Sequence, residues 1–165
     1  MNVNAAWQPS GCKHPDWKDH WEGLYTQNNP AEVNWYQSHP QHSLSLIGDT
    51  GIGTAASIID VGGGASTLVD HLLQAGYRDI TVLDIARTAI ERAQQRLGDL
   101  SQQITWVECD ITDYSPGRTF DIWHDRAVFH YLTLDRDRDF YLKALHNSLK
   151  PGGQVIIATF SDIGP

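Results

Sequence analysis

From Ser57 onward the chain alternates short β-branched runs with stretches whose apolar residues recur at helical spacing. That alternation predicts a parallel sheet with crossover helices. The runs are Ser57–Val61, Ile80–Asp84, Ile104–Glu108, Phe120–Trp123 and Gln154–Thr159. The first, second and last are nearly continuous apolar stretches, as expected of strands covered on both faces. Between the first two, Leu68, Val69, Leu72 and Leu73 make one helix face, and Gly76 is its expected stop. Ala89, Ile90, Ala93 and Leu97 repeat the design, with Gly98 behind them. Phe140, Tyr141, Ala144, Leu145 and Leu149 form a third stripe, which Pro151-Gly152-Gly153 should end, because proline cannot continue a helix and glycine turns the chain. The predicted class is α/β: a doubly wound, mainly parallel sheet with helices on both faces.

The first fifty or so residues differ, and they predict an N-terminal helical extension. Trp17, Trp21, Leu24 and Tyr25 share one helix face, which Asn28-Asn29-Pro30 breaks, and a second helical stretch near Ser43 to Ile47 leads into the loop from Gly48 to Gly53. The expected division is a helical cap and lead-in over 1–53 and a core over 54–165, compact as one domain. At 165 residues and 41% hydrophobic the chain can bury a core without staples. Twelve Lys and Arg against twenty Asp and Glu leave a net charge of −8, which repels nucleic acid and anionic lipid. No apolar window approaches a membrane span, and the start lacks the basic-then-apolar layout of a signal peptide, so the expected location is cytoplasmic. Cys12 and Cys109 belong to no CxxC pair and the eight histidines show no metal-binding spacing, so reduced thiols and no metal are expected.

In an open parallel sheet, ligands bind beyond the carboxyl ends of the strands, where the strand order reverses. After the first run stands Asp60-Val61-Gly62-Gly63-Gly64-Ala65-Ser66. Consecutive glycines let backbone approach a ligand and take positive φ. A tight strand-to-helix connection would use the same residues. Dinucleotide binding is a rival, but the spacing is not G-x-G-x-x-G, and Asp60 would repel a phosphate at close range. The same carboxylate suits an ammonium or sulfonium. Asp84 closes the second run where an acid can accept from both hydroxyls of a ribose, although it could equally cap the next helix. Asp110 follows the third run, flanked by Cys109 and Ile111, where it can accept from an exocyclic amine. Three acids after three successive strands, with no basic residue among them, favour an adenosine-like ligand without phosphates.

Asp60 to Ser66, Leu83-Asp84, Cys109-Asp110, Phe120-Asp121-Ile122-Trp123 and Leu149-Lys150-Pro151-Gly152-Gly153 together resemble the successive motifs of class I S-adenosylmethionine-dependent methyltransferases. The likeness runs over about residues 57 to 160. It implies S-adenosyl-L-methionine as cofactor, with Gly62 and Gly64 packed against its amino-acid part and Asp60 and Gly63 among the other cofactor-binding candidates. It also implies that Asp84 holds the ribose and Asp110 reads the adenine; Ile85 and Ile111, the residues that follow them, are further cofactor-binding candidates. Ser66 departs from the pattern, where the family often has a further glycine.

The fourth run leads into Trp123-His124-Asp125-Arg126 and then Ala127-Val128-Phe129-His130-Tyr131, an edge that in this fold faces the transferred methyl. Asp125, Arg126 and His130 are therefore the catalytic candidates, against plainer readings as a local ion pair and a packed histidine. Trp35 and Tyr36 are candidates for an acceptor pocket, since aromatic faces attract cations and exclude water; they could also be core for the N-terminal helices. The Asp-Arg pair is similar to a segment of thiopurine methyltransferases, and Trp21-Glu22-Gly23-Leu24-Tyr25 resembles the Trp-Glu-x-x-Tyr segment of some protein lysine methyltransferases. The two point to different acceptors, a small molecule or a protein. A non-catalytic S-adenosylmethionine-binding module that stabilises a partner is the alternative. The family sheet usually ends in a sixth and a seventh strand, and the residues after the fifth run are too few to form them. The expectation is a fragment of a longer protein, or a homodimer or other partner covering the edge of the fifth strand.

Overall fold

A computed structural model describes residues 13–159. Cys12, Phe160 and the segment Ser161 to Pro165 lie outside the described residues. A five-stranded, all-parallel sheet carries the fold, in the order β3-β2-β1-β4-β5. The strands are β1 (Ser57–Val61), β2 (Asp79–Asp84), β3 (Ile104–Glu108), β4 (Phe120–Arg126) and β5 (Leu149–Ala158). The helices are α1 (Pro15–Gln27), α2 (Gln41–Asp49), α3 (Leu68–Gln74), α4 (Arg87–Leu97) and α5 (Asp135–Ser148). The α/β expectation holds, and Gly76 and Gly98 follow α3 and α4 at positive φ of 98° and 57°.

Alternate residues of each strand feed two apolar layers. Ile58, Ile80, Val82 and Ile122 pack with Ile47 of α2 and Leu68, Val69 and Leu72 of α3. Ile59, Val61, Leu83 and Trp123 pack with Tyr141 and Ala144 of α5 on the other face. β1 is buried along its whole length, as its unbroken apolar run predicts.

β5 departs from that expectation. It starts at Leu149, five residues before the predicted run, because Pro151-Gly152-Gly153 is taken up as an irregularity between the pairs Phe120 with Leu149 and Ile122 with Gln154. Gly152, at φ 80°, makes that bend possible. β5 pairs with β4 alone, and its residues are not covered on both faces: Ile156 is buried, whereas Val155 and Ile157 remain 42% and 40% exposed. The expected uncovered apolar edge is thus present among the described residues.

β4 runs three residues beyond the predicted Trp123 and carries His124, Asp125 and Arg126 into the sheet. Asp125 is fully buried and accepts from Val128 N (2.8 Å), Phe129 N (3.1 Å) and the Tyr141 hydroxyl (2.7 Å). The Tyr141 oxygen in turn accepts from Trp123 Nε1 at 2.9 Å. This chain holds the turn in which Ala127 takes φ 74°, a conformation costly for a residue with a Cβ. Burial pushes the Asp125 carboxyl above its ordinary range, against the three donors that favour its charge. Replacing Tyr141 with Phe removes a donor from a buried acid and an acceptor from a buried indole. The expected cost is about 2–3 kcal/mol of unfolding free energy, read from urea denaturation midpoints at unchanged m.

Candidate active site

The strand order reverses between β1 and β4, and a cleft opens above that junction at the carboxyl ends of the strands. Its floor is the turn after β1. Gly62 sits at φ 71° and donates to Leu83 O at 2.7 Å; Gly63 donates to the same carbonyl at 3.3 Å. A Cβ on Gly62 would lie 2.1 Å from Val128 Cγ2, and one on Gly64 would lie 2.7 Å from Asp84 Oδ2 and 2.8 Å from the Ala89 methyl. Side chains are excluded here because the turn after β4, the acid of β2 and helix α4 all approach one backbone segment.

Asp84 is 6% exposed and accepts from Gly64 N (2.9 Å) through Oδ2 and from Ala86 N (2.8 Å) through Oδ1. Burial raises its pKa to about 6; the two amide donors oppose the shift, while the charges of Asp60 and Glu22 add to it. Asp110 is also buried, accepting from Thr112 N and Thr112 Oγ1 at 2.8 Å each through Oδ1 and lying 2.7 Å from His14 Nδ1 through Oδ2. Among the described residues no cluster of three or more His, Cys, Asp or Glu is arranged to hold a metal.

Helix α1 closes one side of the cleft, and two rows at four-residue spacing explain how. His14, at the helix cap, and Lys18 and Glu22 point to the domain: His14 meets Asp110, Lys18 pairs with Glu108, and Glu22 accepts from Arg87 N (2.6 Å) and Thr88 N (3.1 Å). Glu22 thereby caps α4, whose own cap residue, Ala86, offers no side-chain acceptor. The neighbouring row, Trp17, Trp21 and Tyr25, lines the cleft. Trp21 meets Trp35 and Tyr131 edge to face at centroid distances of 6.0 and 5.1 Å.

The cleft contains about 1110 Å³ of empty space, mouth included. Of the residues predicted at the site, Gly62, Asp84, Ile85, Asp110 and Ile111 line it, as do Arg126, Trp35 and Tyr36. Arg126 Nη1 donates to Trp35 O at 3.1 Å, which ties the acceptor-side candidates together. Gly63 and Gly64 belong to the turn but not to the lining. Asp60 is turned beneath it, its Oδ1 2.7 Å from His124 Nδ1. Asp125 and His130 were expected to face the methyl and do not line the cleft. Asp125 is aimed into the α5 layer, because the turn amides and Tyr141 take up its carboxylate, and His130 sits in the short 3-10 turn Phe129–Tyr131, where burial lowers its pKa. Trp17, Trp21, Tyr25 and Tyr131 are lining residues that sequence reading did not assign to the site. The four-residue aromatic spacing of α1 was visible, but which body that face meets is a tertiary fact.

The sheet order and a cleft at the strand reversal define a doubly wound α/β domain. Within that class, the sequence profile described as a methyltransferase domain matches residues 59–155. The chain belongs to that family, of the class I S-adenosylmethionine-dependent type. It is 24% identical over 149 residues to the eEF1A lysine and N-terminal methyltransferase of Mus musculus, covering 90% of this chain and 21% of that protein. It is 33% identical over 108 residues to the malonyl-[acyl-carrier protein] O-methyltransferase of Anoxybacillus flavithermus, covering 64% and 39%. The chain therefore spans about a fifth to two fifths of the length of these relatives. Among solved structures, the N-methyltransferase NodS of Bradyrhizobium japonicum in complex with S-adenosyl-L-homocysteine superposes with a TM-score of 0.67 at 21% identity, covering 85% of this chain and 71% of that one.

The raised pKa of Asp84 has a definite sign in stability. An ordinary carboxylate near 3.8 in the unfolded chain binds its proton later than the folded-state group at about 6, so in that interval the folded state holds the extra proton. The contribution of Asp84 to stability rises as pH falls through about 6 and levels off below about 4. Asp84→Asn, which cannot titrate, should lack this component. The measurement is the difference in unfolding free energy between wild type and variant at pH 7 and pH 5, which should move in favour of the wild type at the lower pH.

Proposed function

We propose that this chain binds S-adenosyl-L-methionine in the cleft and transfers its methyl group to a small-molecule or protein acceptor. The observation that carries the reading is Asp84, a buried carboxylate at the end of β2 beside a side-chain-free turn, in a cleft whose one Lys or Arg among the lining residues is Arg126. That donor set fits a ligand with hydroxyls and a positive centre better than one with phosphates. Gly62, Gly63 and Gly64 provide the turn for the amino-acid end, and Asp60 its negative charge. Asp84 takes the ribose hydroxyls with Ile85 beside it, and Asp110 and Ile111 take the adenine. When bound, the cofactor supplies a methyl carried on a sulfonium, which leaves as a neutral thioether, so the protein need not protonate the leaving group.

The protein's contribution is then mainly positioning and exclusion of water. Trp21, Trp35, Tyr36 and Tyr131 surround the acceptor's approach, and Arg126, fixed through Trp35 O, orients the acceptor. Asp125 acts on the far side of the turn after β4, where it accepts from Val128 N and Phe129 N and holds that turn in place. Of the expected cap over 1–53, the described residues 13–53 complete the site over the core. The setting is the cytoplasm. The exposed β5 edge, with Val155 and Ile157, takes a second copy; Val155→Lys should then lower the dimer fraction in sedimentation velocity.

Titration calorimetry with S-adenosylhomocysteine tests the reading. Binding is expected, and Asp84→Ala should weaken it by about 1.5–3 kcal/mol, as two hydroxyl donors lose a charged acceptor. Because protonation removes that acceptor, affinity should fall as pH drops through about 6, opposite in sign to the effect of Asp84 on stability. No binding at pH 7.5 would overturn the assignment. Arg126→Ala should cut turnover on a responsive acceptor by about tenfold or more while changing the cofactor dissociation constant less than about twofold; equal loss of both would make Arg126 a structural residue.

A further inference from the structure

Beneath the cleft floor, three polar side chains from three elements form a closed line. Ser43 of α2, His124 of β4 and Asp60 of β1 are 4%, 1% and 3% exposed. His124 Nε2 lies 2.9 Å from Ser43 Oγ, and His124 Nδ1 lies 2.7 Å from Asp60 Oδ1. Burying three such groups is costly unless each is held, and the geometry holds them with one exception. Asp60 Oδ2 is buried and finds no hydrogen-bond donor among the described residues. It is aimed at the glycine turn: a Cβ on Gly63 would lie 2.2 Å from it. The order acid, imidazole, hydroxyl is that of a nucleophilic triad, but Ser43 does not line the cleft and no reacting atom can reach it. The line faces the other way, with its open end at the turn.

We propose that His124 and Ser43 are positioning residues for the amino-acid end of the cofactor, acting through Asp60. Ser43 fixes the imidazole ring, and the ring donates to Asp60 Oδ1. The carboxylate is thereby locked with Oδ2 against Gly63, where its charge is directed at an ammonium group resting on the turn. In a site this dry, a fixed carboxylate acts on such a group far more strongly than an exposed one. The inference rests on the cofactor assignment made above and adds residues that neither line the cleft nor belong to the glycine motif.

The test compares two ligands by titration calorimetry: S-adenosylhomocysteine, which carries the α-ammonium, and 5′-methylthioadenosine, which lacks the amino-acid end. His124→Leu should weaken S-adenosylhomocysteine about tenfold and leave 5′-methylthioadenosine within about twofold. His124→Asn, whose amide can donate near the Nδ1 position, should recover most of the loss. Ser43→Ala should show the same selectivity at about threefold, and it decides the matter if His124→Leu does not fold. Equal weakening of both ligands would reduce the line to a structural network and overturn the proposal, as would an unchanged affinity for S-adenosylhomocysteine. If the wild type binds neither ligand, the cofactor assignment itself falls, an outcome distinct from loss of selectivity in the variants.

Discussion

The absence of side chains at Gly62, Gly63 and Gly64 is the constraint on which the cleft depends. Val128 approaches from the turn after β4, Asp60 from beneath and Asp84 from β2, each to a distance that a Cβ would forbid. Parallel pairing of β1 with both β2 and β4 brings these groups to one level of the sheet, since Val61 stands opposite Leu83 on one side and Asp125 on the other. Close convergence of backbone then creates the floor, where the Gly62 and Gly63 amides donate to Leu83 O and the Gly64 amide donates to Asp84.

Those acids are costly to bury, and the structure offsets the cost differently for each. Asp84 takes two backbone amides, Asp110 takes Thr112 and His14, Asp125 takes two turn amides and a tyrosine, and Asp60 takes a histidine. Burial nonetheless dominates at Asp84 and Asp125, whose pKa values rise. A site built this way exchanges some stability near neutral pH for a fixed negative field where a cationic, hydroxyl-bearing ligand would lie. Backbone strain at Ala127 belongs to the same pattern, because it sits on the cleft wall and is held by Asp125.

Helix α1 shows how one element serves both the fold and the site. Its polar row caps α4 and pairs with the loop and strand around β3, while its aromatic row closes the cleft. The two rows lie side by side because residues four apart stack along a helix. Any movement of α1 therefore loosens a helix cap and opens an aromatic wall together.

Periodicity in the sequence was sufficient for β1, β2 and β3, for the apolar faces of the three crossover helices and for the glycine stops of α3 and α4, because these depend on local burial patterns and on turns that few residues tolerate. The glycine turn and the acids at the ends of β2 and β3 were legible for the same reason: their place relative to a strand end is local. Tertiary packing alone decided the rest. Asp125 and Arg126 are adjacent in sequence, yet alternation along β4 sends one into the α5 layer and the other into the cleft. Asp60 reads as a cofactor acid, and only the packing of α2 against β4 joins it to His124 and Ser43. Pro151-Gly152-Gly153 reads as a break, and only pairing with β4 makes it an irregularity within a strand. Side-chain direction and long-range partners are set by contacts between segments distant in the chain, and a linear pattern carries no information about which segments will meet.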